Sequence, residues 1–258
     1  LRKRAISTST FGVGEDFNQF LLQGIADNGG GHFYYIDAPD QIPNYFEGEL
    51  GEMLTTVIRD MTLDIEIPAG VKLDIINDLP TEALKHGVRI TLGNAYSGEE
   101  RQLALKLTLS AKDIGRPASH LTLPLKLMYE DVRSASDSHP VMTVEDKAIT
   151  FKVVKPPASD AQPVDELTLT TCAQIQVERA KMEAMKLEYQ GDMFGAQQIL
   201  RLTAEALEAH LPPSVAAPFI EGLRKEAEEI KRGRSEQARK TGHYTSYITH
   251  HGRRDYKK

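Results

Sequence analysis

Gly12-Val13-Gly14 follows an apolar, β-branched run and precedes a helical one, where a dinucleotide-binding chain would carry Gly-x-Gly-x-x-Gly. In that fingerprint the third glycine lets helix and strand pack closely, and the helix N-terminus meets a pyrophosphate. Here the third position is Phe17, and Glu15 and Asp16 would repel the phosphates. His243, His250 and His251 would share a helical face with position 247, as metal ligands could, but residue 247 is Tyr. No thiol or carboxylate accompanies them, so solvated surface histidines are the expectation. The single Cys172 excludes an internal disulfide, leaves the redox compartment open, and reads as a buried structural thiol beside a helix start. Glu99-Glu100-Arg101 and Glu130-Asp131 read as solvated charges at strand ends. The phosphate loop Gly-x-x-x-x-Gly-Lys-Ser/Thr, the Gly-x-Ser-x-Gly elbow, His-Glu-x-x-His and paired cysteines are all missing. The expectation is a chain with no catalytic, cofactor-binding or metal-ligating residue, and not an enzyme.

The elements that would position such groups begin with residues 5–54. A β-branched run closes at Gly14. Phe17, Phe20, Leu21 and Ile25 then recur with the spacing of one helical face. Gly29-Gly30-Gly31 can end that helix, His32 to Ile36 reads as a short buried strand, and Asp37 to Asp40 turns into a second helix over 41–54. Strand, helix, strand, helix with short loops predicts part of a parallel, helix-covered sheet, whose edges and apolar helix faces need completing.

From Val57 the period changes to two. Met61-Leu63-Ile65-Ile67, Val71-Leu73-Ile75, Val88-Ile90-Leu92, Leu103 to Leu109, Leu121 to Leu127 and Ile149-Phe151-Val153 alternate with polar residues between turn-rich segments at 77–80, 93–98, 113–117 and 134–140. Six or seven such strands predict an antiparallel β-sandwich over 56–155, with Pro124 marking an edge strand. Residues 155–163 read as a proline-stiffened linker. Helical period then returns over ~166–189, from Phe194 to Leu207 after the Gly191-Asp192 break, and over 215–231, with Glu221→Lys225 and Glu228→Arg232 as supporting pairs. These helices predict a hairpin or small bundle over 164–233. The tail, 234–258, carries Arg234, Arg239, Lys240, Arg253, Arg254, Lys257 and Lys258 against Glu236 and Asp255, a balance of +5. Tyr244, Tyr247 and Tyr256 are interleaved with its histidines. That composition can stack on bases and neutralise phosphates, or can belong to an arm that packs its tyrosines on the body.

The whole chain of 258 residues, 40% apolar and 26% charged with a net charge of −6, has the composition of an ordinary soluble protein. No apolar run reaches the ~20 residues of a membrane span, and no signal peptide follows Leu1-Arg2-Lys3-Arg4, so a cytoplasmic location is expected.

Ile6-Ser7-Thr8-Ser9-Thr10-Phe11-Gly12-Val13-Gly14-Glu15-Asp16-Phe17-Asn18, with Leu21-Leu22, Ile25-Ala26 and Gly29 to Ile36, resembles the final βαβα of a von Willebrand factor A domain of the bacterial kind. Leu92-Gly93-Asn94, Ser97 to Arg101 and Leu127 to Asp131 are similar to the β-sandwich fused to such domains, and Gly191-Asp192 to a turn in their helical C-terminal region. The resemblance implies a doubly wound α/β fold over 1–55 that binds protein partners, often through a divalent cation such as Mg²⁺. The motif that would hold it is Asp-x-Ser-x-Ser, with a Thr and an Asp from later loops. Ser7 and Ser9 have the Ser-x-Ser spacing, yet Ala5 stands at the aspartate position and in the wrong strand. The ligand loops are therefore expected upstream of Leu1, and no metal residue carries over. The resulting expectation is a non-catalytic protein-interaction or scaffold module, completed by an upstream chain fragment or a swapped copy. The alternative is nucleic-acid or anionic-surface binding through the tail 234–258.

Overall fold

The computed structural model describes residues 7–109, 120–132, 142–154, 158, 162–163 and 165–251. The turns expected at 113–117 and 134–140, most of the linker 155–163 and the tail beyond 251 lie outside them. Two compact units are present: Leu1–Gly51 with Glu100–Ala104 and Asp165–Lys258, and Glu52–Glu99 with Leu105–Val164. The α/β segment, the helical region and the C-terminal tail, separated by their periodicities, thus fall into one unit.

In that unit, β1 (Thr10–Val13) and β2 (Phe33–Ile36) pair in parallel, joined by α1 (Gln19–Gly29). Asn18 caps α1 by accepting the Leu21 amide at 3.0 Å, and Gly30 ends it in a left-handed conformation. Gly31 must remain glycine, because a Cβ there would lie 2.3 Å from the Thr8 carbonyl oxygen. A 3-10 turn (Pro39–Gln41) leads into α2 (Ile42–Leu54). All four residues of β2 are buried, because alternate side chains meet different helices. Phe33 and Tyr35 face Phe17 of the loop before α1, while Tyr34 stacks near Phe11 and meets Tyr45 of α2.

The helical region comprises α3 (Glu166–Tyr189), α4 (Met193–His210) and α5 (Pro213–Arg232). Asp165 and Asp192 cap the first two, and Pro213 opens the third, where a missing amide costs nothing. Alanines at 173, 184, 196, 204, 216 and 227 let the helices approach closely around Leu200, Leu207, Leu223 and Ile230. Glu228 pairs with Arg201 of α4 at 3.5 Å, across the bundle.

Of the two readings of the basic tail, the described part follows the arm that packs its tyrosines on the body, though its His243 is buried and not solvated. Ser235 caps α6 (Glu236–His250), and this helix packs into the α/β core, burying Tyr244 and Tyr247 with Phe33, Tyr35 and Tyr45. Arg234, just before the helix, is itself buried between Glu188 of α3 and Glu226 of α5, the latter at 2.9 Å.

The second unit contains a five-stranded antiparallel sheet, ordered β5-β6-β3-β8-β9, and an antiparallel pair, β4-β7. Its strands are β3 (Thr56–Glu66), β4 (Val71–Ile75), β5 (Thr81–Leu84), β6 (Gly87–Tyr96), β7 (Leu105–Leu109), β8 (His120–Asp131) and β9 (Met142–Lys152). Ile65, Ile90 and Leu123 of the larger sheet share one hydrophobic cluster with Leu73, Ile75, Leu105 and Leu107 of the pair. Arg89 and Asp64 form a bidentate ion pair between β6 and β3, at 2.6 and 2.8 Å. A bulge in β3 places Asp60 in the left-handed region.

Pro124 lies in an interior strand, contrary to expectation, since β8 stands between β3 and β9. The β3 ladder stops at Ile65↔Leu125, so residues 120–124 pair only with β9 and Pro124 sits where one side of the strand is unladdered. Among the described residues no helix is long and apolar enough to cross a membrane.

Replacing Arg234 with Met should destabilise the first unit by about 3–5 kcal/mol, because buried Glu188 would lose its cation. Denaturant unfolding measures this, and a loss no larger than that of an exposed-pair variant such as Arg224→Met would contradict the role given to Arg234.

Candidate docking site

The turn after β1 is filled by its own chain. A Cβ on Gly12 would lie 2.3 Å from the Phe17 ring, so Gly12 is the floor on which that ring rests. Gly14 supplies a left-handed turn (φ 69°) and donates its amide to the Ile36 carbonyl at 3.0 Å. Lys240 of α6 sits over the Phe17 ring, its Nζ 4.1 Å from the ring centre and 2.6 Å from the Phe17 carbonyl oxygen. A pyrophosphate has no room against Gly12.

The two edges of this strand pair differ. At β2 the Phe33 amide points outward and donates to the Tyr247 hydroxyl at 3.2 Å, so α6 closes that edge. At β1 the Thr10 and Gly14 amides donate inward, to His32 and Ile36. By the alternation of a parallel ladder, Phe11 and Val13 present their amides and carbonyls to the other side. Among the described residues β1 has no second sheet neighbour. Apolar side chains surround this open edge: Val13 is exposed on the strand, Leu21 (60%) and Ile25 on α1, and Phe46 and Leu50 (57%) on α2. Phe46 stacks on Phe11 at 4.4 Å, which extends the apolar surface from strand to helix.

A polar cluster lies at the N-terminal end of the strands. Glu49 of α2 accepts hydrogen bonds from the Ser9 hydroxyl, from Tyr34 at 2.5 Å and from the His32 ring at 2.9 Å, while the His32 amide donates to Ser9 at 3.0 Å. Burial alone would raise the Glu49 pKa, but the His32 hydrogen bond and charge, with Ser9 and Tyr34, hold it at about 2. His32 and Glu49 are ligand types, yet their facing atoms already bond each other. This arrangement ties α2 to the strands. Sequence reasoning missed it, since Ser9, His32 and Glu49 are far apart and no short motif joins them.

The other chemical candidates fall elsewhere. His243 is fully buried, with its ring edge-on to Phe20 at 4.7 Å and neither ring nitrogen hydrogen-bonded. His251 donates from its Nδ1 to the Tyr247 carbonyl oxygen at 2.9 Å and lies 3.7 Å from Asp27. Neither belongs to a cluster of ligating groups among the described residues. Cys172 is partly buried on α3, and burial raises its pKa, which disfavours the reactive thiolate. Glu99 accepts the Tyr96 amide at 2.9 Å and thereby fixes a turn.

No family model matches the chain. It is 30% identical over 142 residues to the uncharacterized protein YfbK of Escherichia coli (strain K12), covering 53% of this chain and 21% of that protein. It is 25% identical over 216 residues to the uncharacterized protein sll0103 of Synechocystis sp., covering 78% of this chain and 48% of that one. The chain thus spans about half or less of the length of these curated relatives. Among solved structures, von Willebrand factor type A from Catenulispora acidiphila superposes with a TM-score of 0.59 at 12% identity, over 93% of this chain and 57% of that one. That likeness establishes a von Willebrand factor A-like fold.

Two acid transitions should appear in thermal unfolding. His243 has its pKa lowered to about 4 by burial and by Lys240, so the stability it contributes is complete above pH 6.5 and is lost as pH falls toward 4. Glu49, lowered to about 2, contributes stability that is complete above pH 4.5 and lost below it. His243→Leu should flatten the first decline, on the order of 2–3 kcal/mol, and Glu49→Gln the second. Parallel pH profiles for wild type and both variants would contradict these assignments.

Proposed function

We propose that the chain is a non-catalytic protein-interaction and scaffold module of a von Willebrand factor A-type protein. Its docking surface is the open edge of β1 flanked by the apolar faces of α1 and α2. The observation that carries this reading is the asymmetry of the strand pair: α6 closes one edge, while the other presents unladdered backbone beside Val13, Leu21, Phe46 and Leu50. The complementary partner supplies a further parallel strand with helices on both faces, from an upstream portion of the same polypeptide or from a swapped copy. In this reading the two sheets of the second unit serve as a sandwich scaffold, and a divalent cation belongs to the complementing part. The likeness to a von Willebrand factor A structure supports the reading, because such folds commonly mediate protein interactions.

Binding of nucleic acid through the tail has less in its favour. Tyr244 and Tyr247 are buried and unable to stack on bases, and Lys240 is turned inward. The remaining candidates, Arg253, Arg254, Tyr256, Lys257 and Lys258, lie outside the described residues.

In the chain alone, amide hydrogen exchange at Phe11 and Val13 should be at least about tenfold faster than at Thr10 and Gly14. Addition of the complementing segment should slow exchange at Phe11 and Val13 selectively. Slow exchange at both positions in a monodisperse monomer would overturn the proposal.

A further inference from the structure

The larger sheet of the second unit has edges of unequal length. β5, at one side, is four residues long, and short edges resist pairing. β9, at the other, runs eleven residues from Met142 to Lys152, and among the described residues its outer side has no sheet neighbour. Met142, Val144, Ile149 and Phe151 are all exposed large apolar residues on this one strand. Ile149 and Phe151 lie opposite Leu123 and Leu121 of β8, so they continue the core-facing side of the sheet. A long edge of this kind in a solitary protein is an aggregation hazard unless something pairs with it.

The middle of β9 reads Glu145-Asp146-Lys147, and its charges are self-complementary. Two copies of a strand joined antiparallel across a two-fold axis keep like faces together, so only registers pairing residues of equal parity are allowed. With Asp146 of each copy on the axis, Glu145 of one stands opposite Lys147 of the other, and the reverse, which gives two opposite-charge pairs. The same register sets Val144 against Ala148, Thr143 against Ile149, and Met142 against Thr150. The two Asp146 side chains repel each other, but each already lies opposite Lys126 on β8, which supplies a cation at its flank. Shifting the register by one allowed step places Lys147 opposite its own copy and loses both pairs.

We propose that β9 pairs antiparallel with β9 of a second copy of this chain, in the register centred on Asp146, joining the two larger sheets into one. This interface is separate from the β1 edge, and neither depends on the other.

Charge exchange tests the pairing with the full chain, by sedimentation velocity over a concentration series. Wild type should self-associate. Lys147→Glu alone sets Glu against Glu, and Glu145→Lys alone sets Lys against Lys, so each should weaken association at least about tenfold. An equimolar mixture of the two variants restores both opposite-charge pairs and should recover association to near the wild-type level. This recovery also controls for folding and for loss of the Tyr129 hydroxyl bond to Glu145, at 2.9 Å, since a misfolded variant could not be rescued by the other. A wild-type monomer at every concentration, single variants that associate as wild type does, or a mixture without recovery would each overturn the proposal.

Discussion

Burying a lysine is costly unless its ammonium protons all find acceptors, and Lys240 has three. The Phe17 carbonyl oxygen at 2.6 Å, the Gln19 side-chain oxygen at 3.2 Å and Glu236 at 3.3 Å surround it, and the Phe17 ring lies beneath. Those acceptors belong to the turn between β1 and α1, to the first residue of α1 and to the first turn of α6. The cation therefore sets where α6 meets the strand pair, over the ring that rests on Gly12. Once that contact is made, Tyr244 and Tyr247 of the same helix complete the aromatic core around Phe33 and Tyr35. A residue that would repel a partner if left uncompensated thereby organises the α/β layer.

Local periodicity exposed much of the architecture. Alternation from Met61 to Ile67 and the 3.6-residue spacing from Phe194 to Leu207 both correspond to observed elements, because each buries a face whose period is intrinsic to its backbone. Phe17 in place of a third glycine already argued against a nucleotide, and the ring's seat on Gly12 is the physical form of that argument. What sequence left illegible was long-range. The cluster of Ser9, His32 and Glu49 has no common period, and Lys240 looks like any other tail cation until its acceptors are known. Pro124 misled for a subtler reason: a proline reports a missing ladder bond on one side of one residue, and a strand whose neighbour ends early offers that site within the sheet.

Four sheet edges are treated in three ways. A helix hydroxyl takes up the outward amide of β2, brevity limits β5, and among the described residues β1 and β9 have no outer sheet neighbour and carry exposed apolar side chains nearby. The two open edges differ in what they can accept. β1 offers a parallel ladder with helices on either side, a geometry that only another α/β layer matches. β9 offers an antiparallel edge with alternating charge at its centre, which a copy of itself can match. β1 lies in one compact unit and β9 in the other.

The bond between the Phe33 amide and the Tyr247 hydroxyl spans 214 positions of sequence. On a ribosome, the strands β1 and β2 emerge long before α6 exists, at a synthesis rate of roughly 5–20 residues per second. For that interval β2 lacks its cover and Phe17 lacks the cation above it. Non-local closure of this kind pays its loop entropy late, so folding of the α/β segment waits for the synthesis of α6. Without α6, the outward Phe33 amide of β2 would have no Tyr247 hydroxyl to meet, and both edges of the β1–β2 pair would stand uncovered.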